Sequence, residues 1–109
     1  MSETWVDPST GLEWQVEPPR CDMAWAAAKK YANSLKLAGG GWHLPTKEEL
    51  LTISGRNRHE ALKGDGWFWS SSPVEDDDDC AWGVYFLYGS FSYFGVHYDL
   101  HIRCVRESK

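Results

Sequence analysis

Apolar residues follow two different rhythms along this chain, and the change of rhythm divides it. Trp25, Ala28, Ala32 and Leu35 recur at three- and four-residue spacing while Lys29, Lys30 and Lys36 fall largely off that face, the signature of a helix with one buried stripe. Asp22 stands where it would cap the first turn and Gly39-Gly40-Gly41 where it would end the last, which predicts a helix to about Leu37. The small alanines would let this helix lie close against a sheet. A second helix is predicted after Pro45, where Thr46 and Glu49 have the spacing of a capping box and Leu50, Leu51 and Ile53 supply apolar contacts, with a stop near Gly55. Arg56 to Gly66 is polar and reads as loop, with one helical turn around Glu60 to Lys63.

Elsewhere the period is two. Thr4 to Gln15 carries two short strand patterns, TWV and LEWQ, around Asp7-Pro8-Ser9-Thr10-Gly11, a run of turn-forming residues that predicts an N-terminal hairpin. After Gly66 strands are predicted at Trp67–Ser71, Ala81–Leu87, Gly89–Tyr93 and Leu100–Arg106. Alternation puts Trp82, Val84 and Phe86 on one face and Tyr85 and Leu87 on the other. Of Trp67 and Trp69 we expect one buried and one partly exposed, with Trp69 bordering a surface site. The fold class is therefore α+β: two helices packed on a small, mostly antiparallel sheet with long loops.

With 109 residues, the chain reads as a single domain, 1–109, and its seven Trp, five Tyr and four Phe supply a core generously. A net charge of -5 without a Lys/Arg cluster disfavours nucleic acid as a partner. No apolar run approaches the roughly 20 residues that span a bilayer, so no membrane partner is expected. Met1 to Trp5 is polar where an export signal is basic and then apolar. Cys21, Cys80 and Cys104 are odd in number and lack paired CxxC spacing, which fits a reducing compartment and argues against zinc. As written the chain reads as cytoplasmic; if it was trimmed from a longer secreted chain, an extracellular location and one disulfide through Cys104 stay open.

The segment from Gly83 to Ile102, GVYFLYGSFSYFGVHYDLHI, changes the picture most. It lacks Lys, Glu, Gln, Met and Trp altogether, although Lys and Glu are among the commonest residues, and Tyr, Phe, His and Ser occupy both faces of the predicted strands. Tyr gives binding surfaces large contact area at low entropic cost. The segment therefore reads as part core strand and part contact surface; the plainer alternative is that edge and loop aromatics drifted in, with Val84, Phe86 and Phe91 as plain core. Tyr85, Tyr88, Tyr93, Phe94 and Tyr98 would stack on a sugar or fill a protein pocket. His97, Asp99 and His101 would add directional hydrogen bonds and pH dependence, and Leu87, Ser90, Ser92, Val96 and Trp69 complete the candidate site.

Chemistry is harder to find. Glu75-Asp76-Asp77-Asp78-Asp79 offers hard oxygen ligands, with Asp76 and Asp78 as weak calcium candidates, but lacks the spaced ligands of a calcium loop; crowded like charges predict a solvated, mobile loop. No EPN or QPD triplet is present to grip sugar hydroxyls through calcium. Ser70, Ser71 and Ser72 have no His or Asp tied to them by any motif, and their hydroxyls are expected to satisfy backbone groups. His43 and His59 stand in structural or polar contexts. No catalytic residue and no cofactor are expected.

In combination, TGLEW, an Ala-rich helix ending SLKLAGGGWHLPTKEELL, WFWSSSP, AWGVYF, GSF and a closing HIRCVR resemble the C-terminal domain of bacterial collagen-like adhesins, from about Thr4 to Arg106. That family has a C-type-lectin-like fold, overlapping the formylglycine-generating-enzyme type. The resemblance implies that the chain ends pair in one sheet and that the region before HIRCVR is the binding face. Family members commonly carry a helix cysteine that pairs with the one in RCVR; this chain has Ala32 there. The family also shows Asn, Asp, Ser and Lys around Ser90 to Asp99, where this chain has Phe94, Val96, His97 and Tyr98.

The substitutions suggest a narrower resemblance, to variable proteins of diversity-generating retroelements, which mutate adenines in Asn-type codons near the carboxyl terminus. Changing the first two bases of such a codon reaches every residue type found from Gly83 to Ile102, and never Lys, Glu, Gln, Met or Trp. The resulting expectation is a non-catalytic module that binds a protein or other macromolecule through a diversified face. The alternatives are a carbohydrate-binding lectin or adhesin domain and, from another class, a small enzyme; the composition leaves oligomeric state open.

Overall fold

The computed structural model describes residues 3–107; Met1, Ser2, Ser108 and Lys109 lie outside the described residues, and with them the start of the polar N-terminal stretch. The chain forms β1 (Thr4–Val6), β2 (Leu12–Gln15), α1 (Trp25–Ser34), α2 (Lys47–Leu51), β3 (Trp67–Val74), β4 (Asp77–Tyr85), β5 (Ser90–Gly95) and β6 (Val105–Glu107). This is an α+β fold of two helices and two small antiparallel sheets, ordered β1-β2-β6 and β3-β4-β5. The single sheet expected from the pattern is thus two. The chain ends do share one of them, with Trp14 opposite Val105 and Trp5 opposite Trp14.

Helix α1 is shorter than its pattern. It begins at Trp25 with Ala24 in the capping position and no side-chain cap, and ends at Ser34; Leu37–Gly39 forms a separate 3-10 turn with Ala38 at φ 49°. Asp22 does not cap it, because its carboxylate is engaged by His101 instead. The predicted face holds: Ala28 and Ala32 are fully buried. Helix α2 starts as its sequence dictates, with Thr46 Oγ1 accepting from the Glu49 amide and Glu49 Oε1 accepting from the Thr46 amide, at 3.1 and 2.9 Å. In place of a helical turn at Glu60 to Lys63 there is one hydrogen-bonded turn, the Leu62 amide donating to the His59 carbonyl at 3.0 Å, and a 3-10 turn lies earlier, at Gly55–Asn57.

The core has two halves, one on each side of the β3-β4-β5 sheet. Trp14, Leu50, Ile53, Phe68, Val84, Phe86 and Val105 fill one; Ala28, Ala32, Trp42, Trp69, Ala81, Ile102 and Cys104 fill the other. Burying this much aromatic and aliphatic surface is the main stabilising term. Leu100–Arg106 is not a continuous strand: Leu100 bridges to Met23 and His101 to Phe68 before β6 begins at Val105.

Arg103 joins the two sheets. Its side chain is fully buried, donates to the carbonyls of Gln15 and Val16 at 2.6 and 2.7 Å and to that of Lys63, and lies about 5 Å over the rings of Phe68 and Phe86. Burial lowers its pKa to about 10, still far above neutrality, so the guanidinium is charged and the carbonyl dipoles and ring faces compensate it. Gln15 adds a second tie: its Oε1 accepts from the Cys104 amide and its Nε2 donates to the Tyr31 hydroxyl, both at 3.0 Å.

Candidate functional site

Strand register decides where the aromatic segment points. Trp67 pairs with Tyr85, Trp69 with Gly83, Ala81 with Phe94, Gly83 with Ser92 and Tyr85 with Ser90, so these side chains share one face. Phe68, Trp82, Val84, Phe91 and Tyr93 share the other. The single candidate face is thereby split in two.

On the first face Trp69 is fully buried, its indole donating to the Met23 carbonyl at 2.8 Å. This corrects the expectation that Trp69 borders the site: Trp67 is the half-exposed one, because α1 covers the Trp69 end of the sheet. Phe94 is only half exposed. Its ring lies across Gly83, where a Cβ would come within 3.1 Å of it, and packs edge-on to Trp67 at 5.0 Å. Phe94 and Val96 both pack against the buried cluster and are floor rather than outward anchors. What faces outward is Tyr85, 5.2 Å from Trp67 and 5.5 Å from Tyr88, with Ser90 exposed and Ser92 half exposed. Leu87 is half exposed, and its carbonyl accepts from Arg58 at 3.3 Å.

The second face was not anticipated. Phe91, a core residue under the plainer alternative, is 51% exposed and Tyr93, a candidate contact, is 59% exposed. Both lie edge-on to Trp82 at 5.8 Å, with the Lys47 ammonium 4.4 Å from the Trp82 and Phe91 ring centres. Strand alternation places all three rings together once the β4–β5 register is known, but their sequence spacing alone does not fix that register.

After β5 the chain turns, with the Tyr98 amide donating to the Gly95 carbonyl at 3.0 Å. His97 and Tyr98 stack with centroids 4.9 Å apart and cover Gly95, where a Cβ would meet His97 at 2.9 Å. His97, Tyr98 and Asp99 are exposed. His101 is half exposed, its Nδ1 2.6 Å from Asp22 Oδ1, and its ring edge lies against Gly66, at φ +95°, where a Cβ would approach within 3.0 Å.

The acidic run is solvated as expected, all five side chains being exposed, but it is not a loop. It forms the tight end of the β3–β4 hairpin, with Asp77 already in β4 and Asp76 at φ 67°, a left-handed conformation that Asp tolerates. Among the described residues no group of three or more His, Cys, Asp or Glu is placed to hold a metal ion, so Asp76 and Asp78 gain no companions. Ser70 and Ser72 hydroxyls serve the backbone, Ser70 donating to the Trp82 carbonyl at 2.6 Å and Ser72 accepting from the Lys47 amide at 3.0 Å. A shallow cavity of about 490 Å³ lies apart from these faces, between Trp5, Asp7, Thr52, Arg58 and His59, with His59 stacked on Trp5 at 4.5 Å.

Residues 3–106 match the model of one protein family, described as the Lcl C-terminal domain. The chain belongs to the Lcl C-terminal domain family. No curated protein matches it. Membership and architecture together make this a lectin-like, adhesin-type module with a C-type-lectin-like fold. In this Lcl domain Ala32 and Cys104 are buried in the same cluster and all three cysteines are free. Burial pushes the Cys104 thiol up to about 12, outweighing the opposite pull of Arg103. No helix among the described residues is long and apolar enough to cross a membrane.

Proposed function

We propose that this domain is a non-catalytic binding module that grips a protein or other macromolecule through Tyr85, Tyr88, Ser90 and Ser92, with His97, Tyr98 and Asp99 from the following loop, and that these positions are diversified. One observation carries the reading. Among the described residues the strongly exposed large apolar or aromatic side chains other than Val6 all lie between residues 88 and 98, and two of the four, Tyr88 at 73% and Tyr98 at 57%, belong to these positions, while Phe91 and Tyr93 stand with Trp82 on the opposite sheet face. Framework rings such as Trp14, Trp69 and Phe68 are buried. A surface with this much aromatic area and no charged lysine or glutamate of its own suits recognition by contact. The residue types permitted by adenine mutation of Asn-type codons fill the same interval, which supports diversification.

The hydrogen-bonded roles of Ser70 and Ser72 and the raised thiol of Cys104 support a module without catalysis. A glycan ligand is the second reading, favoured by the half-exposed Trp67 and Tyr85 rings beside Tyr88, which offer a stacking shelf for a sugar. The test is a displayed library with Tyr85, Tyr88, Ser90, Ser92, His97, Tyr98 and Asp99 randomised to the Asn-codon set. Most members should fold, and selection on an arbitrary globular protein should yield binders. A library that largely fails to fold refutes the reading. Parent-domain binding on a glycan array, lost on alanine substitution of Tyr85 or Trp67, would transfer the assignment to the lectin alternative.

A further inference from the structure

The β3-β4-β5 sheet ends at β5, and no further strand pairs with its outer edge among the described residues. Val96 donates to Asp79 and Gly89 to Tyr85, so the alternating ladder of an antiparallel pair turns the amides and carbonyls of Ser90, Ser92 and Phe94 toward β4 and those of Phe91 and Tyr93 away from it. No backbone partner of Phe91 or Tyr93 occurs among the described residues outside β4. Protected edges carry Lys, Pro, a bulge or a covering loop. This one reads SFSYFG, with none of those residues and a regular register against β4 from Ser90 to Gly95.

We propose that a second copy of this chain docks on this edge, β5 against β5, antiparallel about a two-fold axis at Ser92. Phe91 of each copy then faces Tyr93 of the other, and the free amides and carbonyls of both residues pair. The half-exposed Phe91 and Tyr93 rings of the two copies meet on one side of the joined sheet, flanked by Trp82 and Lys47, and cross-strand aromatic pairs of this kind stabilise a sheet. Tyr85, Ser90 and Ser92 stay on the opposite side and are left free by pairing, while the His97–Tyr98 stack over Gly95 borders the paired face.

Charge selects the antiparallel arrangement and a second copy as the occupant. One end of β5 abuts the acidic hairpin, since Val96 follows Gly95 and hydrogen-bonds to Asp79. The other end abuts two arginines: Gly55 donates to the Phe86 carbonyl, Arg58 holds the Leu87 carbonyl, and Arg56 lies between them in sequence. Six residues at about 3.4 Å each separate these ends by roughly 17 Å. An antiparallel two-fold sets Arg56 and Arg58 of each copy beside Asp77 and Asp79 of the other. A parallel pairing would set acid against acid.

Sedimentation of the full chain should show a concentration-dependent monomer–dimer equilibrium. Tyr93→Lys should weaken it by about tenfold or more while thermal unfolding stays cooperative, because a charge on an exposed edge blocks pairing and disturbs little else. In the unmodified chain, amide exchange at Phe91 and Tyr93 should slow as concentration rises, a readout that needs no variant. The double variants R56E/R58E and D77K/D79K should each pair more weakly than the parent, yet pair with each other when mixed, since only the mixture restores opposite charges at both ends. A chain that stays monomeric at all concentrations, association untouched by Tyr93→Lys, or a mixture no better than its components overturns the proposal.

Discussion

Replacing Tyr88 with Ser and Trp69 with Ala tests whether the exposed rings are independent of the scaffold. Tyr88 is 73% exposed, so only about a quarter of a side chain of roughly 200 Å² is hidden; at about 25 cal/mol per Å² its loss costs no more than about 1.3 kcal/mol. Extended-chain areas overstate burial, so the figure is an upper bound. Trp69 is fully buried, edge-on to Phe94 and hydrogen-bonded to Met23. Removing it costs about 3 to 5 kcal/mol from lost packing and the cavity left behind. Deleting the indole leaves no orphan, since the Met23 carbonyl also accepts from Leu100 at 3.0 Å; the cost is therefore nearly all packing. Urea unfolding followed by circular dichroism reads both values. Tyr88→Ser costing more than about 2 kcal/mol, on the scale of a core deletion, would show the surface rings to be structural and refute the reasoning.

Three further outcomes follow from the same geometry. Arg103→Met, which keeps length but strips the carbonyls of Gln15, Val16 and Lys63 of their charged donor, should cost about 3 kcal/mol or more in the same unfolding assay; less than about 1 kcal/mol would mean that the sheets are joined without it. The Glu13 carboxyl is held below its usual range chiefly by its hydrogen bond with Arg106, at 2.8 Å. A depressed folded pKa contributes stability above the ordinary Glu value of about 4.3 and loses it as pH falls through the folded value, so Glu13→Gln should flatten the acid limb of melting temperature against pH. With a thiol reagent at mild alkaline pH, exposed Cys21 should react fastest, Cys80 more slowly because partial burial and the neighbouring Asp77 and Asp79 push its thiol up, and buried Cys104 only on unfolding.

Local rules were legible where one element decides the outcome. The Thr46 capping box and the Ala28–Ala32 face depend only on spacing within a helix, and both appear as expected. Where two elements must agree, spacing fell short. Asp77, Asp78 and Asp79 look like a solvated loop by charge, yet Cys80, Ala81 and Trp82 pull them into β4 by pairing with Gly95, Phe94 and Tyr93. Trp67 and Trp69 have the same strand parity, and what separates them is α1, which covers one and not the other. Asp22 has the chemistry of a helix cap, but a histidine distant in sequence claims its carboxylate. The sequence signal for Arg103 is a charged residue among Ile102, Cys104 and Val105 in an otherwise apolar run, which marks a candidate buried guanidinium.

The exposed rings hang from a hairpin whose position is set from behind. β4 is held by β3 along Trp67 to Trp69 and by the buried Val84 and Ala81, and β5 is held by β4 together with the Phe94 ring laid across Gly83. Tyr88, Tyr93 and Tyr98 contribute to none of these constraints. Gly83 and Gly95 do, by leaving room for Phe94 and for the His97–Tyr98 stack. Change should therefore be costly at the two glycines and at Phe94 and cheap at the tyrosines around them. That division, rather than the abundance of aromatic residues, is what would allow one fold to present many surfaces.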